Sequence, residues 1–140
     1  MKLVTREMHF STQGNSEIIN LTNRVKKYLK GTNLNSGLVN LFIPGATGGL
    51  TTMEYEPGLI DDLRKTFQRI VPEKTKYLHN LTHKDRNAHS HIRASLIGPS
   101  LSIPFEKATL QLGKWQQIVF IDFDNRPRQR KVLLQIISER

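Results

Sequence analysis

Apolar residues recur at helical spacing in two stretches of this 140-residue chain and alternate, or run together briefly, over much of the rest. Residues 2–10 (KLVTREMHF) partly alternate and predict an opening strand, and residues 13–15 are turn-like. SEIINLTNRVKKYLKG then places Ile18, Leu21, Val25, Tyr28 and Leu29 on one helical face. Asn15 or Ser16 is the expected cap, Lys26, Lys27 and Lys30 oppose the dipole at the far end, and Gly31 fits the stop. Residues 37–43 (GLVNLFI) predict a strand closed by Pro44-Gly45, and residues 49–55 the next strand.

A second helix is predicted with Pro57 near its first turn, Leu59, Ile60, Leu63, Phe67 and Ile70 on its apolar face, and Pro72 as its stop. Asp61 and Asp62 are expected in its first turn. Residues 76–88 are polar and irregular. NAHSHIRASLIG predicts a short helix with Asn87 as cap and Gly98 at its end. The tail predicts strands at 100–105, 108–112, 116–123 and 130–137, with turns at Gly113 and 124–127. Strands dominate without regular strand–helix alternation. The expected fold is therefore α+β, one domain over 1–140, with a mixed or mainly antiparallel sheet and two to three helices.

Composition narrows the chemistry. There is no Cys, which excludes disulfide frameworks, Cys-ligated zinc and thiol nucleophiles. No apolar run is long enough to span a bilayer, and MKLVTREMHF lacks a signal core, so the expectation is a soluble, cytoplasmic protein without a membrane partner. Lys and Arg total 21 against 12 Asp and Glu, a net charge of +9 that favours anionic partners.

Four of the five histidines, His79, His83, His89 and His91, crowd into one segment with Asp85, Arg86, Asn87 and Arg93. Imidazoles suit acid–base chemistry near neutral pH or metal ligation. On a helix, His89 and His91 diverge by about 200°, so they do not chelate one ion together; His89 pairs with Arg93 and His91 with Ser95 at i, i+4. The stretch PGATGGLTTMEYE offers Gly, Thr47 and further hydroxyls to a phosphate, and puts Glu54 and Glu56 on one strand face. RPRQRK places Arg126, Arg128 and Arg130 on one face, as phosphate forks or as a charged edge strand. Trp115 is expected as a core or interface anchor.

The strings NAHSHIRASLIGPSLSIP and LGKWQQIVFIDFDNRPRQRKV, with GLTTMEYEPGL and YLHN upstream, closely resemble the YjbQ-like (UPF0047) family over nearly the whole chain. The resemblance implies a small α+β fold, a homotrimer with pockets near subunit boundaries, and a secondary thiamine-phosphate synthase activity. That activity joins a pyrimidine methyl diphosphate to a thiazole phosphate. Matching positions are Glu54, Asp62, His79, His91, Arg93, Ser95, Trp115, Gln116 and Arg128. The roles expected from it are catalysis for Glu54, His79, His91 and Arg93; substrate or phosphate binding for Ser95 and Arg128, beside Thr47 from the hydroxyl-rich stretch; and a divalent metal, Mg or Zn, on His79 and His91. One departure is plain: Gly45 stands where the family pattern has a histidine, which His83 or His89 would have to replace. Two other classes stay open: a trimeric metabolite- or metal-binding protein without turnover, and a nucleic-acid-binding module. The second lacks a helix-turn-helix, finger or RNP signature.

Overall fold

A computed structural model describes residues 1–139. Two antiparallel sheets form its frame, and every strand pairing in it is antiparallel. The larger sheet has the order β1-β8-β3-β5-β6, from β1 (Lys2–Thr12), β8 (Arg128–Ser138), β3 (Gly37–Phe42), β5 (Ser100–Glu106) and β6 (Thr109–Leu110). The smaller has the order β2-β7-β4, from β2 (Glu17–Asn20), β7 (Gln116–Asp122) and β4 (Gly48–Glu54). Four helices are inserted: α1 (Thr22–Thr32), α2 (Pro57–Ile70), the single-turn α3 (Leu78–Thr82) and α4 (Ala88–Ile97). None is long and apolar enough to cross a membrane. The α+β class and the antiparallel pairing agree with the expectation, with four helices in place of two to three.

β7 explains how the layers stack. Ile118 and Phe120 face the main core, against Val39, Leu41, Val132 and Leu134 of the large sheet and Val25 and Leu29 of α1. Val119 and Ile121 face the other way, with Phe123 just beyond, onto Phe67 of α2 and Ala94 of α4. A strand alternates its side chains between two faces, so one buried on both reads as a continuous apolar run. Burying an aliphatic or Phe side chain stabilises by about 1.5–3 kcal/mol.

Several local expectations are corrected. The first helix does not begin at residue 16. Ile18 and Ile19 pair with Ile121 and Phe120 as strand β2, and the helix starts at Thr22. Neither Asn15 nor Ser16 caps it: both have positive φ, 55° and 64°, in the turn before β2, and the Thr22 amide donates instead to Asn20 Oδ1. Gly31 lies inside α1, and Asn33 makes the left-handed stop at φ 59°. The cap of α2 is Glu56, whose carboxylate accepts from the Gly58 and Leu59 amides; Asp61 and Asp62 lie beyond the first turn. Glu56 is therefore a helix cap and does not share a strand face with Glu54. β8 lies between β1 and β3, so its arginines do not guard a sheet edge. Trp115 is 64% exposed, with Lys114 Nζ 4.9 Å from its ring centroid, and is not a core anchor within this chain.

Candidate functional site

Two acids end the most buried strand. Asp122 and Asp124 are fully buried, and each has an arginine from the opposite sheet. Arg130 Nε donates to Asp122 Oδ2 at 2.7 Å and its Nη2 to Oδ1 at 2.8 Å, a bidentate fork. Thr12 Oγ1 also donates to Asp122, at 2.5 Å. Arg128 Nε donates to Asp124 Oδ2 at 2.7 Å. Burial alone would raise the Asp124 carboxyl, but the hydrogen bonds from Arg128, the Asn125 amide and Asn87, with the Arg128 charge, hold it below the usual carboxylate range.

From Asp124 a polar chain runs outward to the histidines. Asn87 Nδ2 donates to Asp124 Oδ1 at 3.5 Å, and Asn87 Oδ1 lies 3.3 Å from His79 Nε2. An amide oxygen only accepts, so with Asn87 oriented this way His79 carries its proton on Nε2. Asn87 sits at the start of α4 yet makes no cap hydrogen bond; its side chain is committed to this chain of contacts. His79 has its ring centroid 5.0 Å from that of His91, edge to face, and 4.2 Å from that of His83, stacked. His83 Nδ1 is held locally by Thr82 Oγ1 and the His79 carbonyl.

His91 opens onto a cleft of about 200 Å³ shared with Gly45, Ala46, Gly48, Ala94, Ser95 and Pro99. Ser95 Oγ donates to the His91 carbonyl at 2.9 Å. The remaining predicted residues divide. Thr47 is buried beside the cleft, taking a bond from Arg130 Nη2 at 2.8 Å and facing Asp124 Oδ2 at 3.3 Å. Arg128 is half-buried and uses only Nε on Asp124, leaving its terminal nitrogens available.

Arg93 is 2% exposed, with Nε and Nη2 on the Val71 carbonyl and Nη1 on Ser16 Oγ, so within one chain it joins the end of α2 to the turn before β2. His89, one turn earlier, is equally buried. Burial first, then the Arg93 charge, push its pKa below the ordinary imidazole value. A histidine held neutral in this way contributes stability above that ordinary value and loses it as pH falls below. Among the described residues its Nδ1 has no partner, and it lies on the buried face of α4, whereas His83 stacks on His79 and accompanies the pair.

Glu54 is not with them. It closes β4 opposite Gln116, whereas the cleft lies at the other end, where Gly48 pairs with Asp122. Six residues of strand separate the two ends, roughly 20 Å. Trp115 adjoins Gln116 at the Glu54 end.

The donor set does not fit a metal ion as it stands. Among the described residues no group of three or more His, Asp or Glu could hold one. The three neighbouring imidazoles meet face to face and edge to face instead.

Sequence reasoning missed Asn87 as a link and Asp122 and Asp124 as the anchor. A signal was present: IVFIDFD sets two acids, two apart, at the end of an apolar run, and RQR repeats that spacing in basic residues. Two buried carboxylates facing two arginines is what that spacing permits.

Comparison with known proteins decides the lineage. The family model described as UPF0047 protein YjbQ-like matches residues 6–139. The chain belongs to this family. A UPF0047 protein of Archaeoglobus fulgidus is 34% identical over 131 residues, covering 94% of this chain and 99% of the relative. The Bacillus subtilis UPF0047 protein YugU is 29% identical over 135 residues, covering 95% and 98%. Among solved structures, a protein of Sulfolobus solfataricus superposes with a TM-score of 0.93 at 25% identity, covering 99% of each chain. A YjbQ/UPF0047 protein of Clostridium acetobutylicum gives 0.86 at 34% identity, covering 94% of this chain and 99% of that one.

Proposed function

We propose that this YjbQ-like protein acts on a phosphorylated small molecule at the His79–His91 cleft, in a reaction of the thiamine-phosphate synthase type. The supporting observation is the pair itself: two imidazoles 5.0 Å apart between their ring centroids, one tied through Asn87 to the buried Asp124. In that reaction the pyrimidine methyl carbon loses diphosphate, which departs with the electron pair of the C–O bond. The thiazole nitrogen supplies the pair for the new C–N bond. The enzyme's task is to stabilise charge building on the leaving oxygens. His91 at the cleft donates there, the terminal nitrogens of Arg128 add positive charge, and His79 supports the His91 ring.

The cleft of about 200 Å³ holds one end of such a substrate. A homotrimer supplies the rest: Glu54, Gln116 and the exposed Trp115, remote from the cleft in their own chain, complete it across a subunit boundary. Leu3 (59% exposed), Ile137 (37%) and Leu38 (44%) lie side by side in register on the large sheet, an apolar stripe that suits burial between subunits. Light scattering is the check on assembly; a mass of three chains supports it, and a stable monomer refutes it.

The catalytic test is product formation from the pyrimidine diphosphate and thiazole phosphate. His91→Ala and His79→Ala should each lower kcat by about 10²–10⁴, with the melting temperature little changed. Turnover that survives both changes overturns the reading. A second reading, a trimeric binding protein without turnover, is favoured by Gly45, since it removes one imidazole from the same cleft. Saturable binding of either substrate with no product would support it.

A further inference from the structure

A second concave site lies between β1 and α1. This groove of about 470 Å³ is lined by Arg6, Met8, His9, Arg24, Lys27, Tyr28 and Gly31. We propose that it binds a nucleotide, with its phosphates on Arg6, Arg24 and Lys27 and its base against Tyr28.

The charge is concentrated and unneutralised. Arg24, Lys26, Lys27 and Lys30 make α1 basic, and that helix contains no Asp or Glu. Among the described residues no carboxylate lines the groove, and Arg6, Arg24 and Lys27 belong to no ion pair. The single acid of β1, Glu7, is engaged by His9 Nε2 at 3.1 Å and Lys131 Nζ at 3.8 Å. Among the described residues Arg6 makes one side-chain bond, to the Thr5 carbonyl, and Arg24 one long bond, 3.4 Å, to the His9 carbonyl. Both guanidiniums thus keep N–H groups for an oxyanion, and their forks match phosphate geometry. Three cations with no counter-ion repel one another, and a bound polyanion relieves that repulsion.

The groove is also more than a charged surface. Met8 is 1% exposed and forms an apolar floor, Tyr28 is a half-buried aromatic wall, and the Arg24 guanidinium stands 5.6 Å from the Phe10 ring centroid. Flat bases stack on aromatic and guanidinium planes. On α1, Arg24, Lys27, Tyr28 and Gly31 follow the i, i+3, i+4, i+7 spacing of one face, so a single rigid element presents the cations and the ring together. A Cβ built at Gly31 meets nothing within 4 Å, so the groove is open beside it. The volume falls in the range of small-molecule sites.

The test is calorimetric titration of the full chain with ATP, without added metal, followed by amide chemical shifts. One saturable site is expected, with shifts at β1 and α1. Arg24→Glu combined with Lys27→Glu should weaken binding at least tenfold, by loss of two phosphate contacts. Gly31→Gln, which alters no charge and suits a helix, should weaken it several-fold by filling the open space beside that position. Inorganic triphosphate should bind at least tenfold more weakly than ATP. Absence of saturable ATP binding overturns the proposal, as does equal affinity in both variants. So does triphosphate binding as tightly as ATP, which would reduce the groove to an anion patch. Shifts confined to α4 and the 45–48 loop would also contradict it. An oligonucleotide that binds far more tightly than ATP, with a steep salt dependence, would assign the groove to nucleic acid instead.

Discussion

Asp122→Ala is expected to lower unfolding stability by about 3–5 kcal/mol, the range for breaking a buried ion pair. For a chain of this length that is roughly 10 °C or more in Tm. The carboxylate accepts two bonds from Arg130, one from Thr12 Oγ1 and one from the Asp124 amide, so its removal leaves four donors without their acceptor. The Arg130 side chain is only 9% exposed, and water cannot readily replace the lost partner. Arg130→Met in the Asp122→Leu background should restore part of the loss, because two apolar groups leave no uncompensated charge. Chemical denaturation measures both. A loss below about 1 kcal/mol, as for an exposed pair, would show that Asp122 does not anchor the two sheets.

Gly45→His is expected to create a zinc site. Gly45 lines the cleft that His91 enters. A Cβ there would meet Arg130 Nη1 at 3.4 Å and Ile43 Cγ1 at 3.9 Å, ordinary contact distances, and the backbone is outside the left-handed region that would require glycine. A third imidazole beside His91 and His79 supplies what the present donor set lacks, since three protein ligands plus water is the usual open zinc site. Zinc affinity should rise by on the order of a hundredfold or more, read by titration against a chelating indicator with Tm confirming the fold. No gain in the folded variant would show that the cleft is not built for a metal. Tight stoichiometric zinc in the parent chain would show that other residues complete a site, with His83 beside His79 the first to replace.

The elements legible in the sequence were those in which pattern and burial coincide. β7 is a buried run between turn signals, β3 is an apolar stretch whose Val39 and Leu41 are buried, and α2 has Pro57 at its first position. The first helix starts later than its pattern predicts because Ile18 stands three residues before Leu21, at helical spacing, yet belongs to strand β2. Pairing with β7, a contact far along the chain, decides between helix and strand. The histidine segment was legible as chemistry because its residues are close in sequence. Its anchor was not, because Asp124 reaches Asn87 only after the chain has passed through β5, β6 and β7. Arg93 illustrates the same limit. Its spacing from His89 is correct, but which helix face is buried depends on Phe67 and Val119 packing against α4.

Asp124 and Asn87 hold His79 in one tautomer beside His91, and in the proposed function this pair meets the substrate. Long-range proton–nitrogen correlation spectra of the imidazoles, recorded at mildly alkaline pH with and without the pyrimidine diphosphate, test it most directly. His79 is expected protonated on Nε2, with loss of that single tautomer in Asn87→Ala and substrate-induced shifts at both His79 and His91. A His79 protonated on Nδ1, or a bound substrate that shifts neither ring, would contradict it.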